Sequence, residues 1–144
     1  MYTCFFIGHR DTPSKVLPAL KKTIQRHVLQ YGVTDFVVGC YGRFDSMAAQ
    51  VVRRMKSRDP AVKLTLLLPY YPTQRTISYS QNFDDTFYPP GQESVPRRVA
   101  ILRADRYMLD HCAYLIAYAR YPGNATNLLG YARRKGTIHI ENLA

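Results

Sequence analysis

The sequence predicts an α/β domain with a Rossmann-like, doubly wound, mostly parallel five-stranded sheet, and three observations carry that expectation. Short, almost wholly apolar runs recur along it: TCFFIG at 3–8, FVVG at 36–39, VKLTLLLP at 62–69, AYLIAY at 113–118 and TIHI at 137–140. Strands covered on both faces read this way, because none of their side chains meets water. Segments of helical periodicity separate the runs, and such alternation builds parallel sheets with helices on both faces. The length, 144 residues, fits one domain spanning 1–144, large enough to bury roughly 70% of the unfolded chain's surface.

The elements follow in order. After the first strand, residues 13–31 place Val16, Leu17, Leu20, Ile24, Val28 and Tyr31 at helical spacing, and Gly32 stops the helix. After the second strand, Asp45 is positioned to cap a helix running to 57, with Ala48, Val51, Val52 and Met55 on one face. The third strand leads into residues 70–94, rich in Tyr, Pro, Thr, Ser, Asn and Gln. A connection of that length is functional or mobile in most compact domains. Pro96 opens a helix to 111 carrying Val99, Leu102, Met108 and Leu109, and the fourth strand follows. Residues 124–135 turn Leu128, Leu129 and Ala132 inward, Gly136 ends that helix, and the fifth strand closes the order.

The charge balance narrows the partners. Net charge is +10, and 14 of the 20 cationic residues are arginine, whose planar fork suits phosphate. An anionic partner, nucleotide or nucleic acid, is therefore expected. Solvated helix faces account equally well for pairs such as Arg53-Arg54 and Arg133-Arg134. No apolar run approaches the ~18 residues of a membrane span, so no membrane partner is expected. Charged residues arrive by His9 and Arg10, too early for a signal-peptide core, which points to the cytoplasm. Cys4, Cys40 and Cys112 show no CxxC or Cys/His spacing and read as reduced core residues, with Cys40 in a loop near the expected ligand edge. None of the histidines His9, His27, His111 and His139 pairs with another at metal-ligand spacing, so no metal is expected. No cofactor is expected beyond a nucleotide-type ligand.

In an open doubly wound sheet, ligands sit beyond the carboxyl ends of the strands. That rule gathers Gly8, His9, Arg10 and Asp11 after the first strand, and Gly39, Cys40, Gly42, Phe44 and Asp45 after the second. It adds the long loop, then Gly123 and Asn124 after the fourth strand. Two of these turns enter helices, where free N–H groups and the helix dipole favour an anion. Neither is a GxGxxG or GxxxxGK[ST] sequence, so an anion cradle and plain turn chemistry both stand. Arg10 reads as a phosphate clamp and His9 as a hydroxyl or base partner; a turn histidine beside a surface arginine is the alternative. Arg97, Arg98, Arg103 and Arg106 line the helix after the long loop, with Arg98 and Arg106 about 80° apart on a broad face. Tyr41, Tyr70, Tyr71, Tyr79, Tyr88 and Tyr121 fit base stacking or an interface. Acids within reach are Asp11, Asp45, Asp84, Asp85 and Glu93, of which Asp45 and Glu93 are the catalytic candidates.

The stretches CFFIGHRD, VVGCYGRFDSMAAQVV, FYPPGQESVPRR, RADRYMLDHCAYLIAY and YARRKGTIHI resemble the SLOG superfamily, most nearly its small bacterial and phage YpsA-like group. The resemblance implies a Rossmann-like domain that senses or processes nucleotide-derived ligands, with homo-oligomerisation. The cytokinin-activating LOG relatives cleave nucleoside monophosphates and carry Pro-Gly-Gly-x-Gly-Thr-x-x-Glu after the fourth strand, with a catalytic Glu. Here residues 122–130 read PGNATNLLG, and Gly130 or Leu129 stands at the acid's place. The expected function is therefore a binder of a nucleotide-derived phosphate ligand, as sensor or sponge. An N-glycosidic hydrolase and a nucleic-acid-binding module are the alternatives.

Overall fold

A computed structural model describes residues 2–71 and 81–144. The first strand, β1 (Thr3–Gly8), alternates sides as a pleated chain must: Cys4 and Phe6 face one layer, Phe5 and Ile7 the other. A 3-10 turn at Ser14–Val16 leads into α1 (Leu17–Leu29), where Pro18 occupies the first turn, the one place in a helix where its missing N–H costs nothing. Next come β2 (Asp35–Val38), α2 (Arg43–Arg58) and β3 (Lys63–Leu67). After β3 comes β4 (Asp85–Phe87), then α3 (Ala100–His111), β5 (Tyr114–Tyr118), α4 (Asn124–Lys135) and β6 (His139–Asn142).

The sheet has six strands in the order β4-β3-β2-β1-β5-β6, and every pairing is parallel. The Rossmann-like expectation stands; the strand count of five does not. The sixth strand, β4, comes from the segment read as a long loop. It pairs Asp85 to Phe87 with Thr65 to Leu67, and Leu68 N–H closes on Phe87 carbonyl at 2.8 Å. Its sequence, DTF, has no buried run to betray it, because an edge strand is paired on one side and wet on the other. β6 also lies two residues beyond the expected 137–140, since His139 N–H bonds Ala113 carbonyl and sets the register.

Two apolar layers enclose the sheet. Leu20 and Ile24 of α1, with Ala48 and Val52 of α2, pack on Phe6, Phe36 and Leu64. Ala104 and Leu109 of α3, with Leu128 and Ala132 of α4, pack on Phe5, Val37 and Leu115. Cys4 and Cys112 are buried within these layers, and burial raises both thiols, Cys112 to about 12. No described helix is long and apolar enough to cross a membrane.

The segment before α3 is pinned by one side chain. Gln92 is 4% exposed, and its Nε2 donates to Pro69 carbonyl at 3.0 Å and Ala100 carbonyl at 2.6 Å. Gln92→Leu removes the donor and leaves two carbonyls dry, which costs about 1–3 kcal/mol. Urea unfolding should show that loss, and an unchanged midpoint would mean water replaces the amide.

Candidate functional site

The strand order reverses between β1 and β5, so the loops leaving those two strands diverge and open a crevice at the carboxyl edge. A cavity of about 350 Å³ lies there. Gly8, His9 and Arg10 form its β1 side, Gly39, Tyr41 and Asp45 its β2 side, and Asn124 with Ala125 the start of α4. The start of α3 closes it with Arg98, Ile101 and Asp105.

The β1 and β2 loops are fastened together. Arg43 N–H donates to Arg10 carbonyl at 3.0 Å, and Gly42 packs so closely that a Cβ there would lie 3.0 Å from Arg10 Cα. Gly42, not Asp45, is the N-cap of α2, and no side chain caps the helix. This corrects the expected cap. The helix begins three residues earlier than the Asp45 cap implies, and the neighbouring loop's carbonyl satisfies its first N–H. Asp45 is thereby left in the first turn, half-buried, its carboxylate receiving the backbone N–H of Tyr41. Burial still dominates and raises Asp45 from 3.8 to about 7. Gly39 makes room for it, since a Cβ there would stand 3.0 Å from Asp45 Oδ2.

Asp105, absent from the sequence-derived set, supplies the second acid. It lies four residues after Ile101 and four before Leu109, on the inward stripe of α3, and that periodicity is the signal that could have found it. Burial, and then the Asp45 charge, raise its carboxyl well above the usual range. The two acids come from helices on opposite faces of the sheet and meet at one edge. Arg10 and Arg98 are exposed, line the same cavity, and make no ion pair with any described acid.

His9 is 7% exposed and already engaged: its Nε2 accepts the N–H of Arg120 at 2.9 Å, and its ring stacks on Tyr121 at 3.7 Å. An accepting Nε2 leaves the proton of the neutral ring on Nδ1. No described residue accepts from Nδ1, so that N–H is the donor His9 can offer a ligand. Asp11 bonds the Tyr121 hydroxyl, which holds its carboxyl below the usual range. Gly123, the N-cap of α4, has φ 150° and ψ −170°, a conformation reserved for glycine, and stands outside the cavity lining beside Asn124.

Several expected site residues lie elsewhere. Phe44 is 1% exposed and packs into the core beneath Gly8. Arg106 lines a second cleft with Arg103, stacked over Tyr131 at 5.3 Å. The angular count from Arg98 failed because Arg98 sits in a separate 3-10 turn, Arg97–Val99, before α3 starts. Glu93 is exposed in the 3-10 turn Gln92–Ser94 and does not line the cavity. Asp84 pairs with Lys56 and accepts Leu64 N–H at 2.8 Å; Asp85 pairs with Lys63 at 3.1 Å. Both hold the amino-terminal end of the β3–β4 pair, at the edge opposite the cavity. Cys40 does not line the cavity, and burial raises its thiol. Of the loop tyrosines, Tyr41 lines the cavity against Tyr70, Arg97 covers the Tyr70 ring at 4.5 Å, and Tyr71 meets Tyr88 edge-on. Tyr79 lies outside the described residues.

No family model and no curated protein matches the chain. Among solved structures, it is similar to DNA processing protein A from Helicobacter pylori, a single-stranded DNA-binding protein, at TM-score 0.63 and 15% identity. That match covers 96% of this chain, which spans 64% of the length of its counterpart. A second similarity, to S. aureus TarJ in complex with NADPH, has TM-score 0.47 and 16% identity, covering 89% of this chain and 43% of that one. At such identities the first likeness shows a shared Rossmann-like fold.

Proposed function

We propose that the cavity at the β1–β5 switch point binds a nucleotide-derived phosphate ligand. The observation that carries this reading is the unpaired gathering of two arginines and two half-buried acids in one cavity of about 350 Å³. That volume falls in the range of small-molecule sites. Arg10 and Arg98 take the phosphate with the amino-terminal end of α4, whose dipole favours an anion. Asp45 and Asp105 take ribose hydroxyls, and Tyr41 offers a ring to the base. The resemblance of the β1 and β2 loops to the SLOG superfamily points the same way, and implies a homo-oligomeric sensor or sponge.

The acid pair favours a second reading, N-glycosidic cleavage. Two carboxyls raised by burial at one cavity can divide the roles of acid and base between them. Asp105, whose carboxyl burial raises well above the usual range, donates its proton to the departing base. Asp45, titrating near 7, steadies the cationic sugar and takes a proton from the attacking water. The pair would then do from α2 and α3 what a LOG glutamate does from the helix after the fourth strand.

A thermal-shift series with mononucleotides, ADP-ribose, NAD and cyclic nucleotides tests both, with product analysis of each hit. At a hundredfold excess over Kd, a cavity ligand raises Tm by roughly 5–10 °C. Arg98→Ala should remove the shift without lowering the ligand-free Tm. A released base establishes the hydrolase, and a shift without product the sensor. A response to oligonucleotides alone, falling steeply with salt, would sink the cavity reading and favour a nucleic-acid surface.

A further inference from the structure

We propose that His27, His139 and Glu141 form a site for a divalent transition-metal ion of the zinc class, at the end of the sheet opposite the cavity. Their donor atoms lie within 4.8 Å of one another. Sequence spacing gave no reason to expect this. One ligand sits in the last turn of α1 and two on β6, and only the parallel addition of β6 beyond β5 brings them together.

The tautomer of His27 is set for coordination. Its Nδ1 lies 2.7 Å from Thr23 carbonyl oxygen, which can only accept, so Nδ1 carries the hydrogen and Nε2 a bare lone pair. A backbone carbonyl holding the far ring nitrogen is the usual second partner of a metal-bound histidine. His27 is 0% exposed, and its Nε2 receives no hydrogen bond from any described residue. A buried acceptor left without a donor is rare and calls for an explanation.

The strand supplies the other two donors on one face. His139 and Glu141 are two residues apart, so both point toward α1, while Ile138 and Ile140 pack on the opposite layer. His139 Nε2 is 3.7 Å from Glu141 Oε1. Arg26 binds the other carboxylate oxygen, Oε2, at 2.7 Å, which orients Glu141 and leaves Oε1 for the ion. Donors bound tetrahedrally at zinc distances stand about 3.3 Å apart, so modest closure completes the set. His139 can supply it, because its side chain is 49% exposed and forms the entry to the site.

Two imidazoles and one carboxylate suit zinc, cobalt or nickel rather than magnesium or calcium, which prefer all-oxygen shells. Three protein ligands leave a fourth position to water. The Tyr31 and Tyr114 rings wall the site, 5.0 and 5.5 Å from the His27 ring. The bound ion would pin the edge strand β6 to α1, far from the cavity, independently of any ligand there.

The test uses the untagged full chain, stripped with EDTA and desalted. Calorimetric titration with ZnCl₂ should show one ion per chain, and saturating zinc should raise Tm by roughly 5–10 °C while MgCl₂ leaves it unchanged. Cobalt should give a visible d–d spectrum without a thiolate charge-transfer band. His139→Ala should weaken zinc binding at least ~10-fold while keeping the wild-type Tm in EDTA, and Glu141→Gln should weaken it at least as much. Absence of saturable uptake overturns the proposal. So does uptake that survives both substitutions, or that disappears on Cys40→Ser instead.

Discussion

Asp45→Asn should make the protein more stable at alkaline pH, by roughly 1–3 kcal/mol, while abolishing its response to a cavity ligand. In the unfolded chain this carboxyl titrates near 3.8, and in the fold burial raises it to about 7. The folded state holds the proton more tightly, so the group's contribution is complete below about pH 4 and is lost as pH rises through 7. Above that range the protein must bury a charge. A shift of about three units is worth ~4 kcal/mol at most, and water in the open cavity reduces it. Asparagine keeps an acceptor for the Tyr41 N–H and carries no charge. Unfolding at about pH 8.5 should therefore favour the variant, and the difference should shrink toward pH 4. Equal stability at both ends would show that the carboxylate is solvated. Asp105→Asn should act in the same direction, because burial raises that carboxyl too. The double variant should fall short of the sum, since removing the Asp45 charge already relieves Asp105.

Gly8→Ala should destabilise the protein by about 3 kcal/mol, the upper end of overpacking costs. A Cβ at Gly8 would lie 2.2 Å from Phe44 Cγ and 2.5 Å from its Cβ. The ring cannot yield freely: Phe44 is 1% exposed and meets Phe6 edge-on at 6.3 Å. Gly8 cannot yield either, because it pairs with Tyr118 at the end of the central strand. Urea unfolding measures the loss, which should not add in full to that of Phe44→Ala, because alanine removes Cγ, the nearest clashing atom. Phe44→Ala alone should cost about 3–5 kcal/mol. If Gly8→Ala leaves the midpoint unchanged, β1 and α2 are not in rigid contact, and the cavity wall they build is softer than the packing implies.

This contact explains why Phe44 drew attention in the sequence although it does not line the cavity, while Gly8 both lines it and receives the ring. Both belong to stretches that look like ligand loops. Their spacing reflects a helix laid directly on a strand end, which shapes the cavity without lining it at Phe44. Arg106 was misplaced by a different mechanism: an angular count runs true only within one helix, and a 3-10 turn intervenes. Glu93 lay in an acid-bearing loop near the expected edge, and nothing local could show that its turn faces away.

The sequence alone determined the layer architecture, because burial on both faces of a strand and on one stripe of a helix leaves a one-dimensional trace. Runs such as TCFFIG and AYLIAY, and the stripe from Leu20 to Val28, could be read without knowing what they touch. The switch-point rule then placed His9, Arg10, Gly39, Asp45 and Asn124 at one edge, where the cavity lies. Tertiary structure alone decided the rest. β4 is an edge strand with no buried face to write into its sequence. Asp105 joins Asp45 only because α2 and α3 flank the sheet from opposite sides. His27 meets His139 and Glu141 only because β6 adds beyond β5. Each of these pairings joins residues far apart in the chain, and no local period records which distant segment will lie alongside.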